Sequence, residues 1–228
     1  MDRRLFLTGK MTRIPGILIP ATLLYAAGAA LFFTKGAALP CKVAYPVLLL
    51  ALSAFYLRRK ELLPVGTALL LSAVGDAVGA KGLFIPQMLA FASAHAAYLC
   101  YFLPRAKLAP RAFSGVLIGV LLLFLFVFIV PGADDPAERI GVAVYGIVIA
   151  AMLYSVLQYR GPYAAWFRLA ALLFVFSDAV IAWNRFVAPV PCRTYVVMLT
   201  YYLAQYLFCC FAVGAACLRP SGTGKTAG

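Results

Sequence analysis

Apolar runs of about twenty residues, broken only by short basic or Gly- and Pro-bearing gaps, fill almost the whole of this chain. That pattern leaves few folds open to it. A helix needs roughly twenty apolar residues to cross the hydrocarbon of a bilayer. No ten-residue alternation of apolar and polar side chains recurs, so a membrane barrel is disfavoured. Of the 228 residues, 65% are hydrophobic and 12% charged, whereas about a quarter are charged in a soluble domain.

The runs predict an all-α fold, a polytopic membrane bundle of eight transmembrane helices in one domain over residues 1–228. The expected spans are 14–33, 39–57, 62–80, 84–103, 112–131, 139–158, 164–183 and 193–217. Arg58-Arg59-Lys60 and the stretch from Pro104 to Lys107 mark breaks, and the longest polar connection runs from Pro131 to Glu138. The first run is long enough to span and has no evident cleavage site.

The formal net charge is +13. In this chain the basic residues sit at helix ends, where they meet lipid headgroups and set topology, so nucleic acid is not an expected partner. With alternating spans, 14 Lys and Arg residues fall on the side of the amino terminus and 6 on the other. Both termini are therefore expected in the cytoplasm, in a bacterial inner membrane or an endomembrane. The six cysteines include no CxxC pair. Cys209 and Cys210 read as core packing, while Cys41 and Cys192 fall at helix ends on one side, where they could pair. One histidine and scattered cysteines do not make a zinc site, so no metal or other cofactor is expected.

Seven residues are acidic, and Asp2, Glu61, Asp134, Asp135 and Glu138 lie in tails or loops. Asp76 and Asp178 alone fall inside spans, where an aspartate costs about 2.5–3.5 kcal/mol on insertion scales. Each opens the pattern Asp-Ala-Val-x-Ala-x-x-x-Phe, ending at Phe84 and Phe186. The two are 102 residues apart, on the third and seventh helices. An offset of four helices gives both the same direction, which suggests a parallel repeat of two four-helix halves.

Other polar residues collect at a similar depth. Ser72 and Asp76 are four apart and share a helix face. Gly75 and Gly79 form a GxxxG pair suited to close helix approach. His95 and Tyr98 are three apart, as are Tyr202 and Gln205, and each pair presents hydrogen-bonding groups to one side. Tyr145 lies in the same half of the bilayer, and Lys42, Asn184 and Arg185 close that end. One cavity opening toward the non-cytoplasmic leaflet is expected from this layer.

No GxSxG elbow, P-loop or dinucleotide fingerprint is present, and Ser93, two residues from His95, points away from it on a helix. What remains is a pair of intramembrane carboxylates with tyrosine, histidine, lysine and amide support. Burial favours a protonated carboxyl, and a nearby cation favours an ionised one, so such a pair suits general acid–base chemistry on an acid-labile bond. The structural alternative is an interhelical hydrogen bond or an ion pair with Lys42 or Arg185. The rival function classes are a proton-coupled transporter and a lipid-binding protein without chemistry.

Lys42 and Pro46, the segment SAVGDAVGAKGLF with His95 and Tyr98 after it, Tyr145 with Met152, SDAVIAWNRF, and Tyr202-Leu-Ala-Gln205 together resemble the YhhN-like lysoplasmalogenase family of eight-helix membrane proteins. The resemblance covers about residues 15–215. One departure is that the family often has Lys followed directly by Pro, whereas Val43, Ala44 and Tyr45 separate Lys42 from Pro46 here. The resemblance implies hydrolysis of the vinyl ether of lysoplasmalogens to a fatty aldehyde and a glycerophospho-headgroup, without a cofactor. The residue chemistry is compatible, with Asp76 and Asp178 as the expected catalytic pair and neither assigned as the acid. His95, Tyr98, Tyr145, Tyr202, Gln205 and Ser72 would orient water or substrate, and Lys42, Asn184 and Arg185 would hold the phosphate. The implied partners are a lysophospholipid substrate and membrane lipids.

Overall fold

The computed structural model of the chain describes residues 18–34, 43–107 and 112–218. These form eight α-helices: α1 (Leu18–Phe33), α2 (Tyr45–Tyr56), α3 (Leu63–Gly79), α4 (Phe84–Phe102), α5 (Ala112–Phe124), α6 (Pro136–Gln158), α7 (Ala164–Phe186) and α8 (Arg193–Cys217). Five stretches are long and apolar enough to cross a membrane: Lys60–Gly79, Ala112–Gly132, Pro136–Gln158, Ala164–Phe186 and Arg193–Cys217. Ile19–Phe33 and Tyr45–Tyr56 are apolar but shorter. α4 falls outside the set because Gln87, His95, Tyr98 and Tyr101 dilute its apolar run. The molecule is thus an all-helical integral membrane protein in which five of the eight expected spans meet the length and hydropathy of a crossing on their own.

Boundaries differ from the sequence reading at α5, α7 and α6. The fifth run is not one helix to residue 131: α5 ends at Phe124, a π-helical turn follows over Leu125–Ile129, and a 3₁₀ turn closes it at Val130–Gly132. Pro131 supplies no N–H, so the regular ladder cannot run through it. Gly132 is pressed on the end of α7, where a Cβ would stand 2.1 Å from the Phe186 carbonyl oxygen. In turn, α7 continues to Phe186, three residues past the expected end, which puts Asn184 and Arg185 on its last turn. α6 begins early, at Pro136, because the Asp135 side chain accepts the Ala137 N–H (2.7 Å) as an N-cap and proline suits the first helical position.

α3 packs most extensively on α4, and α7 on α8. α2 touches α1, α3 and α8, while α6 touches α5, α7 and α4. Adding four to each helix number maps the α1–α2, α2–α3, α3–α4 and α2–α8 neighbours onto α5–α6, α6–α7, α7–α8 and α6–α4. Gly75 and Gly79 both face α4: a Cβ at 75 would meet the Phe91 ring at 2.8 Å and one at 79 would meet Gln87 at 2.4 Å. Close approach of α3 and α4 is therefore what the GxxxG pair provides. The motif-ending rings Phe84 and Phe186 meet edge to face at 5.9 Å, so the two repeated segments converge at one end of the bundle. Tyr98, Phe102, Phe167, Phe174 and Phe208 fill the middle, all buried. α5 is the least covered helix, with Phe113, Val116, Val120 and Leu123 exposed, an arrangement that costs nothing against lipid.

Candidate active site

Asp76 lies in the last turn of α3 and accepts a hydrogen bond from the hydroxyl of Tyr201 on α8 (2.8 Å). Asp178 lies on α7 and meets donors from two other helices. Tyr145 on α6 donates to its Oδ2 (3.1 Å), and His95 Nε2 on α4 stands 3.0 Å from the same oxygen. Tyr145 and His95 are themselves 3.4 Å apart. The acid of α3 is thus held from α8, and the acid of α7 from α4 and α6.

The His95 ring is fully buried, and its Nδ1 has no hydrogen-bond partner. A proton on Nε2 supplies Asp178 with a donor and leaves only a bare lone pair at Nδ1. The other tautomer would bury an unpaired N–H and set Nε2 as an acceptor facing a carboxylate oxygen. We therefore assign the proton to Nε2, which makes two donors converge on one oxygen of Asp178.

Both carboxyl groups line one cavity of about 610 Å³, within the range of roughly 300–1,000 Å³ usual for small-molecule sites. It lies at the end of the bundle where α3 and α7 finish and α4 and α8 begin. Asn184, Arg185, Arg193 and Thr194 line it toward that end, and Phe91, Ile181, Val197 and Met198 supply apolar wall. The burial of both acids is nearly complete: Asp76 keeps 7% of its surface and the Asp178 side chain 11%. Asp178 and Tyr145 also line two narrower apolar clefts, of about 70 and 50 Å³. Among the described residues no three His, Cys, Asp or Glu side chains converge as a metal site would require.

The structure sorts the residues expected from sequence. Asp76, Asp178, His95 and Tyr145 come together as two carboxyl centres on one space. Tyr98 and Gln205 find each other instead: the Tyr98 hydroxyl donates to Gln205 Oε1 at 2.6 Å, both residues fully buried. Ser72 turns its hydroxyl back to the Ala68 carbonyl of its own helix (2.8 Å). Tyr202 donates to the Val43 carbonyl (2.9 Å), and its own carbonyl is held by the Tyr25 hydroxyl, so it ties α8 to α1 and the start of α2. Asn184 lines the cavity while accepting the Val190 N–H (3.0 Å). Arg185 lines it too, but pairs with Glu138 (2.6 Å) and stacks over the Phe84 ring (3.7 Å). Neither Asp76 nor Asp178 pairs with Arg185. Lys42 and Cys41 lie outside the described residues.

Sequence reasoning gave no role in the site to Tyr201, Arg193 or Gln87. Tyr201 carried a usable signal, since it is four residues from Gln205 and shares its face more closely than Tyr202 does. Arg193 and Gln87 carried none beyond lying at helix starts.

A sequence model of the YhhN family matches residues 38–211. The chain is similar to a Homo sapiens protein named lysoplasmalogenase TMEM86B, 39% identical over 146 residues, which are 61% of this chain and 59% of that protein. It is also similar to the Sus scrofa protein of that name, 36% identical over 155 residues covering 68% and 65%. A Bos taurus protein named lysoplasmalogenase TMEM86A is 34% identical over 169 residues covering 70% and 69%. The chain thus spans about three fifths of the length of the human relative it matches. No solved structure matches the chain.

Proposed function

The chain belongs to the YhhN family, and on that footing we propose that it is a membrane hydrolase that cleaves the vinyl ether of lysoplasmalogens to a fatty aldehyde and a glycerophospho-headgroup. The observation that carries the proposal is the pair of carboxyl groups, each held by donors from a different helix, on one cavity.

A vinyl ether hydrolyses by protonation at its β-carbon, which turns the C=C–O unit into an oxocarbenium ion. Asp76, which accepts one hydrogen bond, is the proton donor. Asp178, with two donors on one oxygen, is the anion that faces the cation and takes a proton from the attacking water. The resulting hemiacetal collapses when Asp178 returns its proton to the departing glycerol oxygen and the hemiacetal hydroxyl gives its proton to Asp76. Both acids end as they began, and one water is consumed. The division of labour parallels the two-carboxylate logic of glycoside hydrolysis, by analogy of chemistry only. Tyr201, Tyr145 and His95 position the carboxyls. Arg193, Arg185 and Asn184 lie where a phosphodiester would sit.

The bundle reads as eight transmembrane helices in two parallel four-helix halves, supported by the matching neighbour pattern and by the Tyr201–Asp76 and His95–Asp178 contacts that join them. With both termini cytoplasmic, the cavity faces the opposite leaflet of the inner membrane or endomembrane that holds the protein. Cysteine labelling from either side of sealed vesicles tests this; access to position 193 from the cytoplasmic side would reverse it.

The test of function is aldehyde release. Purified protein in detergent should convert lysoplasmalogen to aldehyde and free headgroup. Asp76→Asn and Asp178→Asn, folded by circular dichroism, should each lose at least about 10²-fold in turnover. Full turnover in either variant would end the two-carboxylate mechanism. Proton-coupled solute flux in liposomes, with no aldehyde formed, would favour a transporter.

A further inference from the structure

Three spaces meet at Asp178, two of them also at Tyr145, and their linings differ. The large cavity carries Asp76, Asn184, Arg185, Arg193 and Thr194. Beyond Asp178, the cleft of about 50 Å³ between α5, α6 and α7 has no polar side chain in its lining other than Tyr145 and Asp178 themselves. The cleft of about 70 Å³ between α4, α6 and α7 bridges the two, sharing Phe84, Gln87 and Phe91 with the cavity and Val142 and Ala182 with the far cleft. A charged headgroup entering the far cleft would lose its hydration without compensation, whereas a methylene chain loses nothing there.

We propose that the hydrocarbon tail of a single-chain ether lipid leaves the polar cavity at Asp178 and begins in the cleft between α5, α6 and α7, whose walls set the tail the protein accepts. The proposal rests on the vinyl-ether reading above and adds where the tail goes. In such a lipid the reacting double bond is the first bond of the tail, so the tail must start at the carboxyls, as this cleft does. The space is narrow enough for one chain and not for two. Its floor is built from Gly146 against Leu125: a Cβ at 146 would stand 2.3 Å from Leu125 Cδ2. The π-helical turn of Leu125–Ile129 directs Leu125 and Ile129 inward, both buried, while Phe126, Val127 and Phe128 face out. The outer wall is therefore the least covered helix of the bundle, and the remainder of the tail passes beside it into lipid.

Tryptophan fluorescence tests the subsite without any turnover. The chain has two tryptophans. Trp183 stacks on Phe124, a lining residue of the cleft (5.9 Å), whereas Trp166 stacks on Phe211 elsewhere. In Trp166→Phe protein, an alkyl-ether lysophosphocholine brominated along its tail, which lacks the cleavable double bond, should quench Trp183 saturably. Ala179→Leu, at a position lining the cleft, should weaken the apparent affinity read by that quenching at least about tenfold, the low end of what one methylene is worth in an apolar pocket. Quenching that never saturates, that is unchanged by Ala179→Leu, or that strikes Trp166 equally in Trp183→Phe protein overturns the proposal. A second arm compares lysoplasmalogens with long and short tails. Ala179→Leu should lower kcat/KM for the long tail relative to the short one, and Leu125→Ala, which lengthens the cleft, should shift the ratio the other way. Cleavage with an unchanged chain-length profile defeats the tail subsite and leaves the reaction standing. Saturable Trp183 quenching in protein that never releases aldehyde defeats the reaction and leaves the subsite standing.

Discussion

Tyr201 and Asp76 are 125 residues apart in the chain, yet the tyrosine hydroxyl donates to the carboxyl across 2.8 Å from α8 to α3. The neighbouring Tyr202 reaches a backbone carbonyl at Val43 instead. One position along the helix separates a residue that holds an acid from one that holds the scaffold.

Tyr201→Phe should therefore lower kcat about tenfold with little change in KM, the effect of one lost hydrogen bond to the reacting carboxyl. Tyr202→Phe should leave kcat within about twofold and instead lower the thermal midpoint in detergent, since it removes a link between α8 and the start of α2. Equal kinetic losses in both variants would contradict the assignment.

His95 and Tyr145 share Asp178 Oδ2, so their removal should not be additive. His95→Leu and Tyr145→Phe should each cost roughly tenfold or more in kcat, and the double variant clearly less than the product. His95→Gln, which keeps a side-chain N–H, should recover part of the loss. A strictly multiplicative double variant would mean that the two donors act on separate groups.

Gly75→Ala should destabilise the bundle by about 1–3 kcal/mol, because the new methyl meets the Phe91 ring at 2.8 Å. That ring is braced edge-on by Phe174 and Tyr201 and has little room to retreat. Gly115→Ala on α5, where nothing lies within 4 Å, should be neutral or stabilising by up to about 1 kcal/mol. Thermal unfolding of the two variants in one detergent decides it.

Arg193 lines the cavity with no carboxylate partner among the described residues, whereas Arg185 is paired with Glu138. Arg193→Ala should raise KM for a lysophospholipid about tenfold at unchanged kcat, and Arg185→Ala should raise it less. Glu138→Gln should cost at most about 1 kcal/mol of stability, because the Arg185 side chain is 40% exposed and its pair is screened. A larger KM effect at Arg185 than at Arg193 would return the phosphate to Arg185.

Much of the site was legible before any coordinates. Asp76 and Asp178 stand out because every other acid falls outside the spans that the sequence predicts. His95 and Tyr145 were within reach of the same argument, as polar residues at matching depth. Tyr98, Gln205 and Ser72 share that depth too, yet Tyr98 bonds to Gln205 and Ser72 to its own helix. Depth and spacing select a layer of the bundle but do not say which members of the layer face each other.

The sequence by itself determined that this chain is helical and membrane-bound, and that two carboxyls in matching contexts must avoid lipid. Both follow from the medium: hydrocarbon offers no partner to a bare peptide group or a charge, so helices form and acids turn inward whatever their neighbours are. Tertiary structure alone decided that Tyr201 rather than Tyr202 reaches Asp76, that His95 and Tyr145 converge on Asp178, and that Arg185 answers to Glu138. Helical periodicity fixes which residues share a face. The rotation and axial offset of one helix against another are settled only by contacts such as Gly75 on Phe91 and Gly132 on Phe186, where the absence of a side chain lets two backbones come together.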